Sequence, residues 1–113
     1  MLARLMGLDT LAPRALHQRM QDDRITVFDV NSRGSWLAAR IPGARHLDFV
    51  TIRESDLPAE RSRTLVFYCS NPLCRKAPLA ARQARKLGFT AVFVLSAGIS
   101  GWVAAGLPTE AGA

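Results

Sequence analysis

The sequence predicts an α/β fold with a mostly parallel central sheet flanked by helices. Three observations predict it. First, the runs at 25–30 (ITVFDV), 64–69 (TLVFYC) and 91–95 (AVFVL) are rich in β-branched and aromatic residues, and the last two are almost continuously apolar. Such runs mark strands covered on both faces rather than half-exposed ones. Second, the segments between them carry apolar residues three or four apart, the spacing of a helix face. Third, strand and helix signals alternate along the chain, the order expected of βαβ units.

Taken in order, 12–20 reads as a helix that starts after Thr10. Pro13 stands near its first turn, and Leu11, Leu16 and Met20 fall roughly on one face. Strand 25–30 follows. Ser32 to Arg40 reads as a short helix with Trp36 and Leu37 turned inward, broken by Ile41-Pro42-Gly43. Ala44 to Leu47 reads as a brief strand. After strand 64–69 comes a loop, then a helix to about Leu87 with Ala77, Ala80, Ala84 and Leu87 as its stripe and Gly88 at the C-cap position. Strand 91–95 leads to a short helix around Gly101–Ala105, closed by Gly106-Leu107-Pro108.

The chain has 113 residues, 49% of them hydrophobic, which suits one globular domain spanning 1–113. A chain of this mass buries about two-thirds of the surface its unfolded form exposes, enough for a core without disulfide staples. The apolar runs are too short to span a bilayer. The first ten residues lack the apolar stretch and small-residue cleavage site of a secretory signal. The expectation is a soluble, cytoplasmic protein without membrane contact. The formal charge is +6, but Arg and Lys are dispersed and no basic block interleaves with aromatics. An anionic small substrate is expected rather than nucleic acid. The cysteines are Cys69 and Cys74. Two thiols do not complete a tetrahedral zinc site, and His17 and His46 do not stand at ligand spacing from them. No metal or prosthetic group is expected.

Cys69 ends the clearest strand and precedes a helix. Ligands of open α/β sheets collect beyond the carboxyl ends of the strands. The following helix directs its free N–H groups and positive dipole end there. That environment binds anions and favours thiolate over thiol. A buried cysteine is more often a small hydrophobe, but here the loop and its cations point to a nucleophile. The loop runs Cys69-Ser70-Asn71-Pro72-Leu73-Cys74-Arg75-Lys76. It is short enough to curl its N–H groups around an anion, which Arg75 could grip with paired donors. A cation at a helix start is electrostatically misplaced unless it meets an anion. Pro72 stiffens the loop, and Pro78 fits the first helical turn. Cys74 is either a small residue at a helix start or a second thiol, able to resolve a Cys69 persulfide or to form a Cys69–Cys74 disulfide.

At this point the sequence resembles the rhodanese-like family, in three segments taken in order. VFDVNSRGSWLAARIPGARHLDF is similar to the first family signature, with Asp29-Val30, Trp36 and Ile41-Pro42-Gly43-Ala44. LVFYCSNPLCRKA is similar to the active-site strand and loop. LSAGISGWVAAGLP is similar to the closing signature, with Gly98, Ile99, Trp102 and Gly106-Leu107-Pro108. The resemblance implies a three-layer domain and a sulfurtransferase. In that chemistry a cysteine thiolate takes the outer sulfur of thiosulfate or a related anionic donor, sulfite leaves, and a thiol or cyanide removes the sulfur from the persulfide. By position Cys69 is the catalytic residue. Ser70, Asn71, Pro72, Leu73, Cys74 and Arg75 would form the substrate cradle. A sulfur-acceptor protein is the expected partner.

The chain departs from the family pattern at several positions. Asn31 follows Asp29-Val30 where an arginine is common, and Arg40 precedes Ile41 where a histidine is common. The active-site loop lacks the usual glycine, is slightly longer, and holds a second cysteine. The spacing of Cys69 and Arg75 is that of related cysteine phosphatases and arsenate reductases, which gives an oxyanion enzyme as a second expectation, with Asp29, Asp48 and Asp56 as remote candidates for its acid. A non-catalytic or redox module using Cys69 and Cys74 is the third. Asp29, Gly43, Gly98, Trp36 and Trp102 are expected to be framework residues.

Overall fold

A computed structural model describes residues 2–22 and 24–113 of the chain. Its elements are α1 (Leu2–Leu5), β1 (Asp9–Leu11), α2 (Pro13–Arg19), β2 (Ile25–Asp29), α3 (Arg33–Ala38), β3 (Arg45–His46), β4 (Thr64–Tyr68), α4 (Lys76–Lys86), β5 (Val92–Leu95) and α5 (Gly98–Ala104). The five strands form one sheet in the order β1-β5-β4-β2-β3, and every pair is parallel.

Alternation along β4 divides the core between the two faces of the sheet. Leu65, Phe67 and Cys69 point to one face, where Ala77, Ala80, Ala81 and Ala84 of α4 cover them. Val66 and Tyr68 point to the other, against Leu16 of α2 and Trp102 of α5. This is why the run TLVFYC shows no polar alternation: neither face meets water. Each fully buried large side chain here stabilises the fold by about 1.5–3 kcal/mol relative to exposure. The small alanine stripe lets α4 lie close on the sheet.

The structure corrects several boundaries. Thr10 does not cap α2. It lies in β1, a three-residue edge strand that pairs with β5 and is too short to announce itself in sequence. Ala12, in extended conformation (φ −79°, ψ 157°), stands at the N-cap, and Pro13 takes the first helical position, where its missing N–H costs nothing. Ser32 caps α3, its Oγ accepting from Ser35 N at 3.2 Å. That helix stops at Ala38 because Ala39 turns extended toward Ile41-Pro42. Trp36 and Leu37 are half-buried rather than core. The last helix begins at Gly98, not Gly101. The long stretch between β3 and β4 carries a single 3-10 turn at Glu54–Asp56. It is held down by buried Ile52 and Leu57 and by Gln83 of α4, which donates to Phe49 O at 2.6 Å and accepts from Ile52 N at 3.4 Å.

The C-terminal segment after α5 folds back over α3. Trp102 Nε1 donates to Pro108 O at 2.7 Å, and Arg40 and Glu110 exchange both backbone hydrogen bonds. The Arg40 side chain, only 8% exposed, donates to Glu110 Oε2 (3.0 Å), Gly112 O (2.7 Å) and Trp36 O (3.2 Å). Its guanidinium lies 4.0 Å from the Trp36 ring centre. Sequence reading set Arg40 at the end of a helix and noted it as a departure from the family pattern, with no partner. Its partner is 70 positions away, beyond any local pattern. Among the described residues no helix is long and apolar enough to cross a membrane.

Candidate functional site

From β2 the chain moves outward to β3, then returns to β4 and moves the other way to β5. The reversal lies between β2 and β4, and the crevice beyond their carboxyl ends is where such sheets hold ligands. Both strands stop level, with Asp29 paired to Tyr68. The next residues are therefore neighbours: Ser70 Oγ donates to Asn31 Oδ1 at 2.8 Å across the crevice. Asn31, which stands where the family commonly has arginine, bridges the two strand ends.

Beneath it lies a buried polar knot. Asp29, 0% exposed, accepts from Asn31 N at 2.8 Å through Oδ1 and from the Tyr68 hydroxyl at 2.7 Å through Oδ2. Tyr68 in turn accepts from Ile41 N at 3.1 Å. Burial pushes the Asp29 carboxyl above its ordinary range, with the Tyr68 and Asn31 hydrogen bonds opposing the shift. Burial and the neighbouring Asp29 push the Tyr68 hydroxyl upward too. Asp29 thus ties three segments together below the site, the framework role expected of it. His46 Nε2 donates to Asn31 O at 2.8 Å and holds the β2 side of the crevice.

Cys69, 3% exposed, follows β4 directly. Its carbonyl accepts from Ile99 N at 2.9 Å, and the Ser70 carbonyl accepts from Ser100 N at 3.0 Å. These donors belong to the first turn of α5, whose N–H groups have no partner within the helix. The closing signature therefore clamps the strand end from below. The clamp is tight: Gly98 has φ +68°, and a Cβ there would stand 2.5 Å from Ser70 C and 2.6 Å from Asn71 N. Gly43, also with positive φ, shapes the turn before β3.

Above the clamp the loop closes on itself. Asn71 Oδ1 accepts from Leu73 N at 2.9 Å, and Asn71 O accepts from Cys74 N at 3.1 Å. The turn returns Cys74 over Cys69, and the two sulfurs are joined in a disulfide with Cα atoms 6.4 Å apart. A small cavity beside them is walled by Cys69, Asn71, Pro72, Cys74, Ala77 and Pro78 among others. Pro78 lies in the first turn of α4 as expected.

The loop residues named from sequence thus divide. Asn71, Pro72 and Cys74 stand at the cavity. Ser70 is turned to Asn31, and Leu73 is 89% exposed at the loop tip. Arg75 is exposed at the N-cap of α4, without a side-chain cap bond, and does not line the cavity. A second cleft of about 250 Å³ opens on the β2 side, lined by Asn31, Ser32, Arg33, His46, Asp48, Phe49 and Lys76. Sequence reading missed Arg33, His46 and Lys76 as its walls. The signal was positional: Arg33 opens α3, His46 ends β3 and Lys76 opens α4.

The comparisons agree with this architecture. The sequence matches the Rhodanese-like domain family over residues 12–105. The Synechocystis protein slr1261, itself uncharacterised, is 31% identical over 100 residues, 88% of this chain and 55% of its own length. The chain spans about half the length of the curated relatives it matches. The BH2092 protein of Bacillus halodurans has the same fold, with TM-score 0.85 at 23% identity over 96% of this chain and 80% of that one. The thiosulfate sulfurtransferase of Pseudomonas aeruginosa superposes with TM-score 0.80 at 31% identity, over 93% of this chain and 20% of that one. In sequence as in architecture, the chain belongs to the rhodanese-like domain family.

Proposed function

We propose that this chain is a sulfurtransferase that carries sulfane sulfur as a persulfide on Cys69, from thiosulfate or a related anionic donor to a thiol or cyanide acceptor. The observation that carries the reading is the seat of Cys69. It follows the central strand at the point where strand order reverses, its carbonyl is held by α5, and α4 begins just beyond it. A thiolate there meets free N–H groups and the positive end of α4, which favour an anionic nucleophile and an anionic donor together. Likeness to a thiosulfate sulfurtransferase at 31% identity supports the same reading.

The roles follow from position. The Cys69 thiolate attacks the outer sulfur of the donor, and sulfite leaves with the electron pair of the broken S–S bond. Asn71, Pro72 and Cys74 shape the space over the sulfur. Ser70 and Asn31 keep the loop in register with β2. Exposed Arg75 draws the donor's charge toward the loop, and Arg33 and Lys76 place two cations beside Asp48 in the wall of the neighbouring cleft, which takes the remainder of a donor or an acceptor. With the disulfide closed, Cys69 is sealed, so transfer starts from the reduced protein.

The test is sulfite release from thiosulfate by fully reduced protein. Wild type releases sulfite in proportion to protein, and Cys69→Ser releases none. Equal release from Cys69→Ser would overturn the proposal. The oxyanion reading has less support, because Arg75 does not line the cavity at Cys69.

A further inference from the structure

We infer that Cys74 is the thiol that discharges Cys69, so that the chain has a second activity: it reduces bound sulfane sulfur to hydrosulfide. This rests on the proposal that Cys69 carries sulfur. Its own basis is the geometry that brings the two sulfurs together.

Cys74 meets Cys69 sulfur to sulfur, and the Cα separation of 6.4 Å falls within the span a disulfide bridges. The approach is set by the backbone. The Asn71 turn carries Cys74 back, α5 fixes the Cys69 end, and α4 fixes the Cys74 end by packing Ala77 into the same core as Cys69. No described non-glycine residue needs a positive φ to achieve this. Cys74 stands just ahead of α4, followed by Arg75 and Lys76, surroundings that favour its thiolate.

The contact also selects the bond that breaks. Cys74 Sγ meets Cys69 Sγ itself, whereas the outer sulfur of a persulfide would stand about 2 Å further along. Cys74 therefore attacks the inner sulfur. A Cys74–Cys69 bond forms, the bond from Cys69 to the outer sulfur breaks, and the outer sulfur departs with its electron pair and the proton that Cys74 gives up. The sulfane sulfur gains two electrons as hydrosulfide, and the two cysteines lose two as the disulfide seen in the structure. The first turnover needs no other reagent. Further turnovers need a dithiol reductant to reopen the loop.

The experiment is a single turnover of reduced protein with thiosulfate in the absence of oxygen. Wild type is expected to release sulfite and sulfide in equal amounts and to end two hydrogen atoms lighter, with Cys69 and Cys74 in one cross-linked peptide. Cys74→Ser and Cys74→Ala are expected to end one sulfur atom heavier, with sulfide release lost. Sulfide is read per sulfur loaded, so slower loading in a variant does not disturb the comparison. Sulfite release with a lasting persulfide in wild type would overturn this inference alone, as would equal sulfide release from the variants. Absence of sulfite from wild type would defeat the Cys69 reading, and this inference with it.

Discussion

Gly98→Ala tests whether the site is held by backbone contact between α5 and the loop. The substitution acts in two ways. It puts a Cβ on a residue at φ +68°, which costs about 1–2 kcal/mol in the left-handed region. It also sets that Cβ 2.5–2.6 Å from Ser70 and Asn71 main-chain atoms, which cannot swing aside as a side-chain tip could. Relief requires α5 and the loop to part, at an overpacking cost of about 1–3 kcal/mol. Parting also weakens the hydrogen bonds from Ile99 N and Ser100 N, each with a net worth of about 0.5–1.5 kcal/mol. The expected loss is about 2–5 kcal/mol, a large share of a typical stability of about 5–15 kcal/mol. Gly106→Ala is the control, since Gly106 has φ +76° but nothing within 4 Å of a Cβ, and it should lose only the conformational part. The overpacking of about 1–3 kcal/mol that only Gly98→Ala suffers, read in urea unfolding with slopes of about 1–3 kcal/mol per molar, separates the midpoints by about 0.3–3 M. Sulfite release by Gly98→Ala should fall as well. Equal losses in the two variants would refute the clamp.

Tyr68→Phe leaves Ile41 N–H without its acceptor and Asp29 Oδ2 without its donor. At about 1–3 kcal/mol for each stranded buried group, urea unfolding should report a loss of about 2–6 kcal/mol, and a loss near zero would show that the knot is dispensable. Because burial raises the Asp29 carboxyl, the folded protein holds its proton more tightly than the unfolded chain does. That contribution is present below the ordinary carboxylate range and is lost as pH rises through the folded value. Asp29→Asn should therefore compare worst with wild type below about pH 4 and recover ground toward neutrality; a pH-independent difference would contradict the shift. Glu110 behaves oppositely: Gly43 N–H and Arg40 hold its carboxyl below the ordinary range, so its contribution is present above that range and fades on acidification. The stability deficit of Arg40→Ala should shrink as pH falls, and Trp36 emission should change as the stacked guanidinium is lost.

The two central strands were legible in the sequence because their apolar runs are unbroken, as were α4 through its alanine stripe and the framework role of Asp29 through its place at a strand end. The edge strand β1 was not, since Asp9–Leu11 is too short for periodicity to register. The start of α5 was displaced because the helix opens on Gly98, a left-handed entry that lets it approach Ser70 and that no apolar spacing marks. Cys69 was singled out as a candidate from local order, at the end of a strand and ahead of a helix. The Cys69–Cys74 disulfide was one of the readings the sequence left open for Cys74, but which reading holds, like the Asn31–Ser70 bridge and the Arg40–Glu110 pair, depends on folding back, which local sequence does not encode. Composition suggested an anionic ligand but not where the cations would gather.

The central position of β4 has a consequence for how the molecule fails. Sheets fray from their margins, and here the margins are β1 and the two-residue β3. Amides of β4, paired on both sides and covered on both faces, should exchange with solvent only through global opening. The cysteine at the end of that strand inherits this protection. Partial warming or mild denaturant that loosens the borders should leave Cys69 in place, and the sulfur uptake proposed for it should persist until cooperative unfolding removes it in one step.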